Sequence, residues 1–143
     1  EARALGRARA VFEDIKVAGL EPNVVHCTSF MKSLLSAGLL GEAASVLRAP
    51  GAAPDLAAFS LLVKAYADHG DMAGAVEALR EMRRRGVQPD AVLLNVTLSG
   101  CCQAPVPAHC VLHLLRWLMD QGLQPTTATL SILTKAFSHS QAW

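Results

Sequence analysis

The chain has 143 residues, of which 52% are hydrophobic and 17% are charged. This length fits about one domain, and the apolar content can fill a core, which excludes extended disorder. Thirteen Lys and Arg residues against twelve Asp and Glu residues leave a net charge of +1, so the overall charge does not indicate nucleic acid, a membrane surface or an acidic substrate as a partner.

A short motif of glycine, two further residues, proline and a small polar residue occurs four times along the chain. Its prolines are Pro22, Pro54, Pro89 and Pro125, at intervals of 32, 35 and 36 residues. Intervals of this length are typical of two short helices that form one stacking unit. The glycine can end a helix in the left-handed conformation, the proline prevents continuation, and the Asn, Asp or Thr that follows can cap the next helix.

The segments between these motifs predict helices in a regular order. An incomplete unit at 1–23 contains a helix over 4–18. Three complete units follow at 24–55, 56–90 and 91–126, with helix pairs over 24–37 and 40–48, 56–69 and 72–85, and 91–103 and 108–121. A second incomplete unit at 127–143 opens with a helix over 127–138.

The apolar residues inside the units recur with a helical period. Phe59, Leu62, Val63 and Tyr66 fall at i, i+3, i+4 and i+7, which gives the helix over 56–69 one packed face. No alternating apolar run of strand length interrupts the pattern. The sequence therefore predicts an all-α fold, a right-handed α-solenoid of stacked antiparallel helix pairs with repeats of about 35 residues.

The four cysteines lack the CxxC spacing of zinc knuckles and favour a reducing compartment. A metal site is an open alternative in one segment, where His109 and His113 lie at i, i+4 near Cys101, Cys102 and Cys110. Buried thiols and ordinary histidines explain the same residues, and we predict no metal and no other cofactor.

No stretch of 18 apolar residues occurs, so we predict no membrane span. The chain begins at Glu1 in a segment rich in Ala and Arg, without an initiator Met. We expect it to be a piece of a longer protein.

The units resemble those of pentatricopeptide repeat proteins over nearly the whole chain. The unit at 56–90, LAAFSLLVKAYADHGDMAGAVEALREMRRRGVQPD, has that family's length and its skeleton of Ala, Gly, Ala, Ala, Met, Gly and Pro-Asp. The other units open in the same way, with VVHCTSFMKSL, AVLLNVTLSGC and TATLSILTKAF. The resemblance implies single-stranded RNA as the partner and a mitochondrion or plastid as the location.

The resemblance also implies which residues contact RNA. In the family, the fifth residue of the first helix and the last residue of the same unit read the edge of one base, and the second residue packs against the base plane. The implied base-edge residues are Thr28 with Asp55, Ser60 with Asp90, Asn95 with Thr126, and Ser131; the implied base-packing residues are Val25, Ala57, Val92 and Ala128. The first two pairs resemble guanine-favouring pairs of the family, and the third lies outside its common pairs.

Lysines follow the fifth positions at a constant distance. Four residues later, one turn along the same helix face, the chain has Lys32, Lys64, Ser99 and Lys135. A row of ammonium groups beside short polar side chains suits a phosphate backbone with splayed bases, so we predict phosphate contacts for the three lysines. Two alternatives stay open: a solvated face that happens to carry lysine, and fifth residues that only cap the helix starts.

The leading hypothesis is a non-enzymatic RNA-binding repeat module in organellar RNA metabolism or translation. No paired nucleophile and base, HExxH motif or phosphate loop appears, and we predict no small-molecule substrate.

The alternative is a non-catalytic scaffold subunit of a larger organellar assembly such as a ribosome or a membrane-protein complex. Near-zero net charge, a helix cut short by Pro50 and an irregular APVP turn at 104–107 favour it, and Trp117 and Trp143 are candidate protein contacts. A third hypothesis is a tetratricopeptide-like receptor for a protein tail, because its repeats have a similar period.

Overall fold

The computed structural model describes residues 2–49, 53–103 and 107–140, and in these ranges all regular structure is helical. The helices are α1 (Ala2–Val17), α2 (Val24–Ser36), α3 (Leu40–Arg48), α4 (Leu56–Asp68), α5 (Met72–Arg84), α6 (Ala91–Gln103), α7 (Ala108–Asp120) and α8 (Thr127–Ser140). Each begins and ends within two residues of its predicted bounds, so the predicted all-α fold is confirmed. Pro50, most of the APVP segment and Trp143 lie outside the described residues.

The chain divides into two compact units, residues 1–62 and 63–143. We call α2, α4, α6 and α8, which open the repeats, A helices, and we call α1, α3, α5 and α7 B helices. In the first unit, α2 packs against both α1 and α3. In the second unit, α6 packs against α5, α7 and α8, and α7 also contacts α8. Helices α2 and α6 therefore each contact the B helix of their own repeat and that of the preceding repeat, and α6 also contacts the next A helix.

The glycine of the repeated motif ends α1, α5 and α7 as predicted, and Gly51, which follows α3, lies outside the described residues. Gly86 has φ of 72°, a conformation that residues with a side chain rarely adopt. The N–H of Val87 then donates to the carbonyl of Met82 at 3.1 Å, which satisfies a free carbonyl of the last turn of α5. Gly19 and Gly122 have φ of 71° and 87° at the equivalent places.

The arginine run at the end of α5 forms ion pairs with Glu81, and Arg84 also pairs with Glu77 at 3.5 Å. Arg85 Nε donates to Glu81 Oε1 at 2.9 Å, and an Arg84 guanidinium nitrogen donates to Oε2 at 3.1 Å. The hydrogen bond from Arg85, followed by the one from Arg84, lowers the pKa of Glu81 below its ordinary value. Part of the run is therefore engaged in local pairing at a helix end that favours cations.

The core is formed by one face of each A helix and the B helices that cover it. The side chains of Met31, Leu34, Phe59, Leu94 and Leu98 are completely buried. No helix among the described residues is both long enough and apolar enough to cross a bilayer.

The groove between α1 and α2 is open, unlike its counterpart in the second unit. Counting from the closing glycines, Val11 of α1 is equivalent to Leu114 of α7; Val11 is 58% exposed and Leu114 is 8% exposed. The rings of Phe12 and Phe30 stack at 4.5 Å between centroids and line this groove, which has a volume of about 290 Å³. In the second unit, α6 packs against both α7 and α8.

Candidate nucleic-acid interface

The second, fifth and ninth residues of each A helix lie on one helix face, because their spacing is i, i+3 and i+7. These residues are Val25, Thr28 and Lys32 in α2; Ala57, Ser60 and Lys64 in α4; Val92, Asn95 and Ser99 in α6; and Ala128, Ser131 and Lys135 in α8. We call each such set an outer face. The opposite side is packed: in α6, for example, Leu94 and Leu98 are buried.

The second residue of every A helix is apolar and exposed. Val25 and Val92 are both 68% exposed, and Ala57 and Ala128 are exposed as well. Large apolar side chains gain free energy from burial, about 1.5–3 kcal/mol for a fully buried valine or leucine. The two valines therefore leave apolar area available to a ligand.

Two of the three hydroxyls at the fifth positions donate to the backbone of their own helices. Thr28 Oγ1 donates to the Val24 carbonyl at 2.7 Å, and Ser131 Oγ donates to the Thr127 carbonyl at 3.0 Å. These two residues do not cap the helix starts, so the capping alternative is wrong for them. With the proton committed, each oxygen has lone pairs left to accept a hydrogen bond. Ser60 is half-buried.

The last residue of each repeat caps the following A helix. Asp55 Oδ1 accepts from the Ala58 N–H at 2.9 Å, and Asp90 Oδ1 accepts from the Leu93 N–H at 2.7 Å. The second carboxylate oxygen of either aspartate makes no hydrogen bond to another described residue. Thr126 plays the same part for α8, where its Oγ1 accepts from the Thr129 N–H at 3.3 Å.

The structure links the members of one predicted base-edge pair and places Thr28 beside the segment that holds Asp55. In the first unit, Thr28 lines a small pocket with Pro54 and Ala58, which flank Asp55 in sequence. In the second unit, Asn95 Oδ1 accepts a hydrogen bond of 2.7 Å from Thr129 Oγ1, which also accepts from the Thr126 N–H at 3.0 Å. Of the remaining predicted pair, Ser60 belongs to the first unit and Asp90 to the second.

Thr129 is a member of this site that sequence reasoning missed. It is completely buried, at the third position of α8. The third positions of the other A helices hold His26, Ala58 and Leu93, so no repeated pattern marks this place. The only sequence signal for Thr129 is that it is polar, whereas two of the other three A helices have an apolar residue at their third position.

All three predicted phosphate-contacting lysines are exposed. Lys64 Nζ lies 3.9 Å from Asp68 Oδ2, a loose pair in which both side chains are more than 60% exposed. An exposed pair of this kind contributes little energy and can exchange its partner for a phosphate.

The candidate metal ligands between Cys101 and His113 differ in burial. Burial raises the pKa of Cys101 to about 11, whereas Cys110 and the two histidines are exposed. The rings of His109 and His113 pack edge to face at 6.3 Å. Among the described residues, no group of three or more His, Cys, Asp or Glu side chains is arranged to hold a metal ion.

Comparison with known proteins fits this arrangement. Residues 54–103 match the model of the PPR repeat family. A chloroplastic pentatricopeptide repeat-containing protein of Arabidopsis thaliana is 31% identical over 98 residues, which are 66% of this chain and 20% of that protein. The crystal structure of the maize pentatricopeptide repeat protein PPR10 matches 93% of this chain and 19% of its own, with a TM-score of 0.76 at 22% identity. Residues 54–103 are therefore pentatricopeptide repeat sequence, and the chain is similar to proteins of that family over most of its length.

A second matching structure contains RNA. It is pentatricopeptide repeat protein PPR10 in complex with an 18-nt psaJ RNA element, and it is 26% identical to this chain with a TM-score of 0.68, over 98% of this chain and 22% of its own. The predicted α-solenoid of stacked helix pairs is confirmed by these pentatricopeptide repeat structures. The chain spans only 20% to 32% of the length of the first curated relatives that it matches.

Proposed function

We propose that this chain binds single-stranded RNA along the outer faces of its A helices. The observation that carries the proposal is the 68% exposure of Val25 and Val92, each one turn from a polar fifth residue. The plane of an unstacked base would cover such a valine, while its edge would face the fifth residue. The likeness to a pentatricopeptide repeat protein whose structure contains an RNA element adds support.

The hydrogen-bonding capacity of the first repeat suits a guanine. Thr28 has only lone pairs left to offer, because its proton is donated to the Val24 carbonyl. The second oxygen of Asp55 also accepts. Guanine presents N–H donors on its Watson–Crick edge, so a guanine can satisfy both acceptors. Asp90 likewise has a second carboxylate oxygen that makes no hydrogen bond to another described residue and can accept one from a base.

We further propose that the chain acts by holding RNA rather than by catalysis, in RNA metabolism or translation of an organelle. The chloroplastic relatives in Arabidopsis thaliana support an organellar setting. A scaffold subunit that contacts other proteins is the competing hypothesis, and the experiment below separates the two.

The test is binding of the chain to randomised single-stranded RNA, measured by fluorescence anisotropy. A triple variant, Lys32→Ala, Lys64→Ala and Lys135→Ala, should bind roughly tenfold more weakly, because three exposed ion pairs contribute about 0.2–1 kcal/mol each. Its helix content by circular dichroism should equal that of the wild type.

Lys16→Ala is the matched control. Lys16 lies on the B helix α1, where it pairs with Glu13 at 3.2 Å, and its replacement should leave RNA binding unchanged. Equal RNA binding by the wild type and the triple variant would contradict the lysine assignment. Absence of RNA binding by the wild type, together with protein partners retained after RNase treatment, would favour the scaffold.

A further inference from the structure

The amide of Asn95 is held in one orientation by hydrogen bonds from the next repeat. The Thr126 N–H donates to Thr129 Oγ1 at 3.0 Å, and Thr129 Oγ1 donates to Asn95 Oδ1 at 2.7 Å. The second distance is typical of an O–H···O hydrogen bond, whereas N–H···O bonds are most often 2.9–3.0 Å long. Asn95 Oδ1 is therefore the acceptor, and the amide nitrogen carries the remaining hydrogen-bonding capacity.

Burial keeps this arrangement in place. Thr129 is completely buried, so its hydroxyl has no water to bond with. The other acceptor within reach is Thr126 Oγ1, which lies 3.1 Å from Thr129 Oγ1, a longer contact than the 2.7 Å to Asn95 Oδ1. If the Asn95 amide turned over, the hydroxyl would exchange the shorter hydrogen bond for the longer one, and leaving a buried polar group poorly paired is costly. The amide nitrogen of Asn95 makes no hydrogen bond to another described residue, and Asn95 is half-buried on the outer face of α6.

We propose that Thr129 is a positioning residue that makes Asn95 a hydrogen-bond donor toward RNA, so that this repeat prefers uracil over cytosine. The inference rests on the proposed function. Uracil has a carbonyl O4 where cytosine has an amino group N4. The donor of Asn95 is satisfied by the uracil carbonyl and faces a second donor in cytosine.

The fixed orientation of the Asn95 amide depends on a residue that the first unit lacks. In the first unit, the residue beside Thr28 that corresponds to Thr129 is Ala58, which has no hydroxyl. The buried threonine therefore adds a specificity determinant that the second, fifth and last residues do not contain.

The test uses short single-stranded RNAs that carry one uracil or one cytosine at successive positions of an otherwise adenine sequence. The wild type should prefer uracil over cytosine about threefold to tenfold at one position, as expected for one hydrogen bond. Thr129→Val removes the hydroxyl at similar volume and should reduce this preference to below about twofold. Thr129→Ser keeps the hydroxyl and should keep the preference.

Two further variants sharpen the result. Asn95→Asp presents an acceptor in place of the donor and should reverse the preference toward cytosine. Thr97→Val is the matched control, since Thr97 is also completely buried but donates to the Leu93 carbonyl at 2.7 Å. It should leave the preference unchanged.

The outcomes separate the inference from the proposed function. RNA binding with no preference between uracil and cytosine, or a wild-type preference in Thr129→Val, overturns the role of Thr129 and leaves RNA binding intact. Equal loss in Thr97→Val also overturns it, because helix packing would then be the cause. A wild type that binds none of these RNAs overturns both.

Discussion

At the scale of single residues, the aspartates that close the repeats have two oxygens with different surroundings. In Asp90, Oδ1 accepts from the first turn of α6 at 2.7 Å, while Oδ2 is not bonded to another described residue. Capping and base contact are therefore compatible in one side chain. The two roles can be separated by substitutions that change one oxygen at a time.

Asp90→Asn should keep the fold and change the RNA preference. Asparagine caps helices about as well as aspartate, so the free energy of unfolding should change by less than about 0.5 kcal/mol, whereas Asp90→Ala should lower it by about 1 kcal/mol. In Asp90→Asn an amide N–H₂ replaces the outward acceptor, and the preference for guanine at this repeat should fall. Urea unfolding and RNA binding measure the two effects.

Asp71 provides the matched control for this prediction. It caps the B helix α5 by accepting from the Gly74 N–H at 2.9 Å and lies outside the outer faces. Asp71→Ala should destabilise the chain to a similar extent without altering base preference. A guanine preference that is unchanged in Asp90→Asn would restrict Asp90 to capping.

Sequence reasoning reaches some of these residues and not others, for a physical reason. Asp55 and Asp90 follow a proline that a helix cannot cross, so their place at a helix start is local information. The hydrogen bond between Thr129 and Asn95 joins residues 34 apart and depends on how α8 seats against α6. The residue spacing within one repeat cannot predict a contact between side chains of two repeats.

At the scale of helices, the bounds could be predicted because glycine and proline act within a few residues. Gly86 ends α5 with the predicted left-handed conformation, and α6 begins directly after Asp90. The extent of burial was less predictable, because it depends on which helix covers a position. Val11 and Leu114 have equivalent places in B helices, and only Leu114 is covered.

This difference predicts unequal effects of truncating equivalent residues. Leu114→Ala should lower the free energy of unfolding by about 2–5 kcal/mol, because it leaves a cavity in a packed interior. Val11→Ala should change it by less than about 0.5 kcal/mol, since Val11 is 58% exposed and alanine is the better helix former. Urea denaturation of both variants compares them, and equal destabilisation would show that the α1–α2 groove is covered in solution.

At the scale of the whole molecule, the net charge of +1 leaves little long-range attraction for RNA. Four outer faces with base contacts of about 1–2 kcal/mol each would supply roughly 4–8 kcal/mol, which corresponds to dissociation constants from about millimolar to micromolar. The chain also spans at most 32% of the length of its first curated relatives. We therefore expect binding by this chain to be weak and governed by local contacts.

The salt dependence of RNA binding should reveal how many of those contacts are ionic. Each phosphate neutralised on a single strand contributes about −0.7 to the slope of log affinity against log salt concentration, so three lysines predict a slope of about −2. The lysine triple variant should have a slope near zero, because its remaining contacts with the bases are not ionic. A much steeper wild-type slope that persists in the triple variant would place the phosphate contacts on arginines instead. A flat wild-type slope would mean that base contacts hold the RNA without the lysines, since apolar packing responds little to ionic strength.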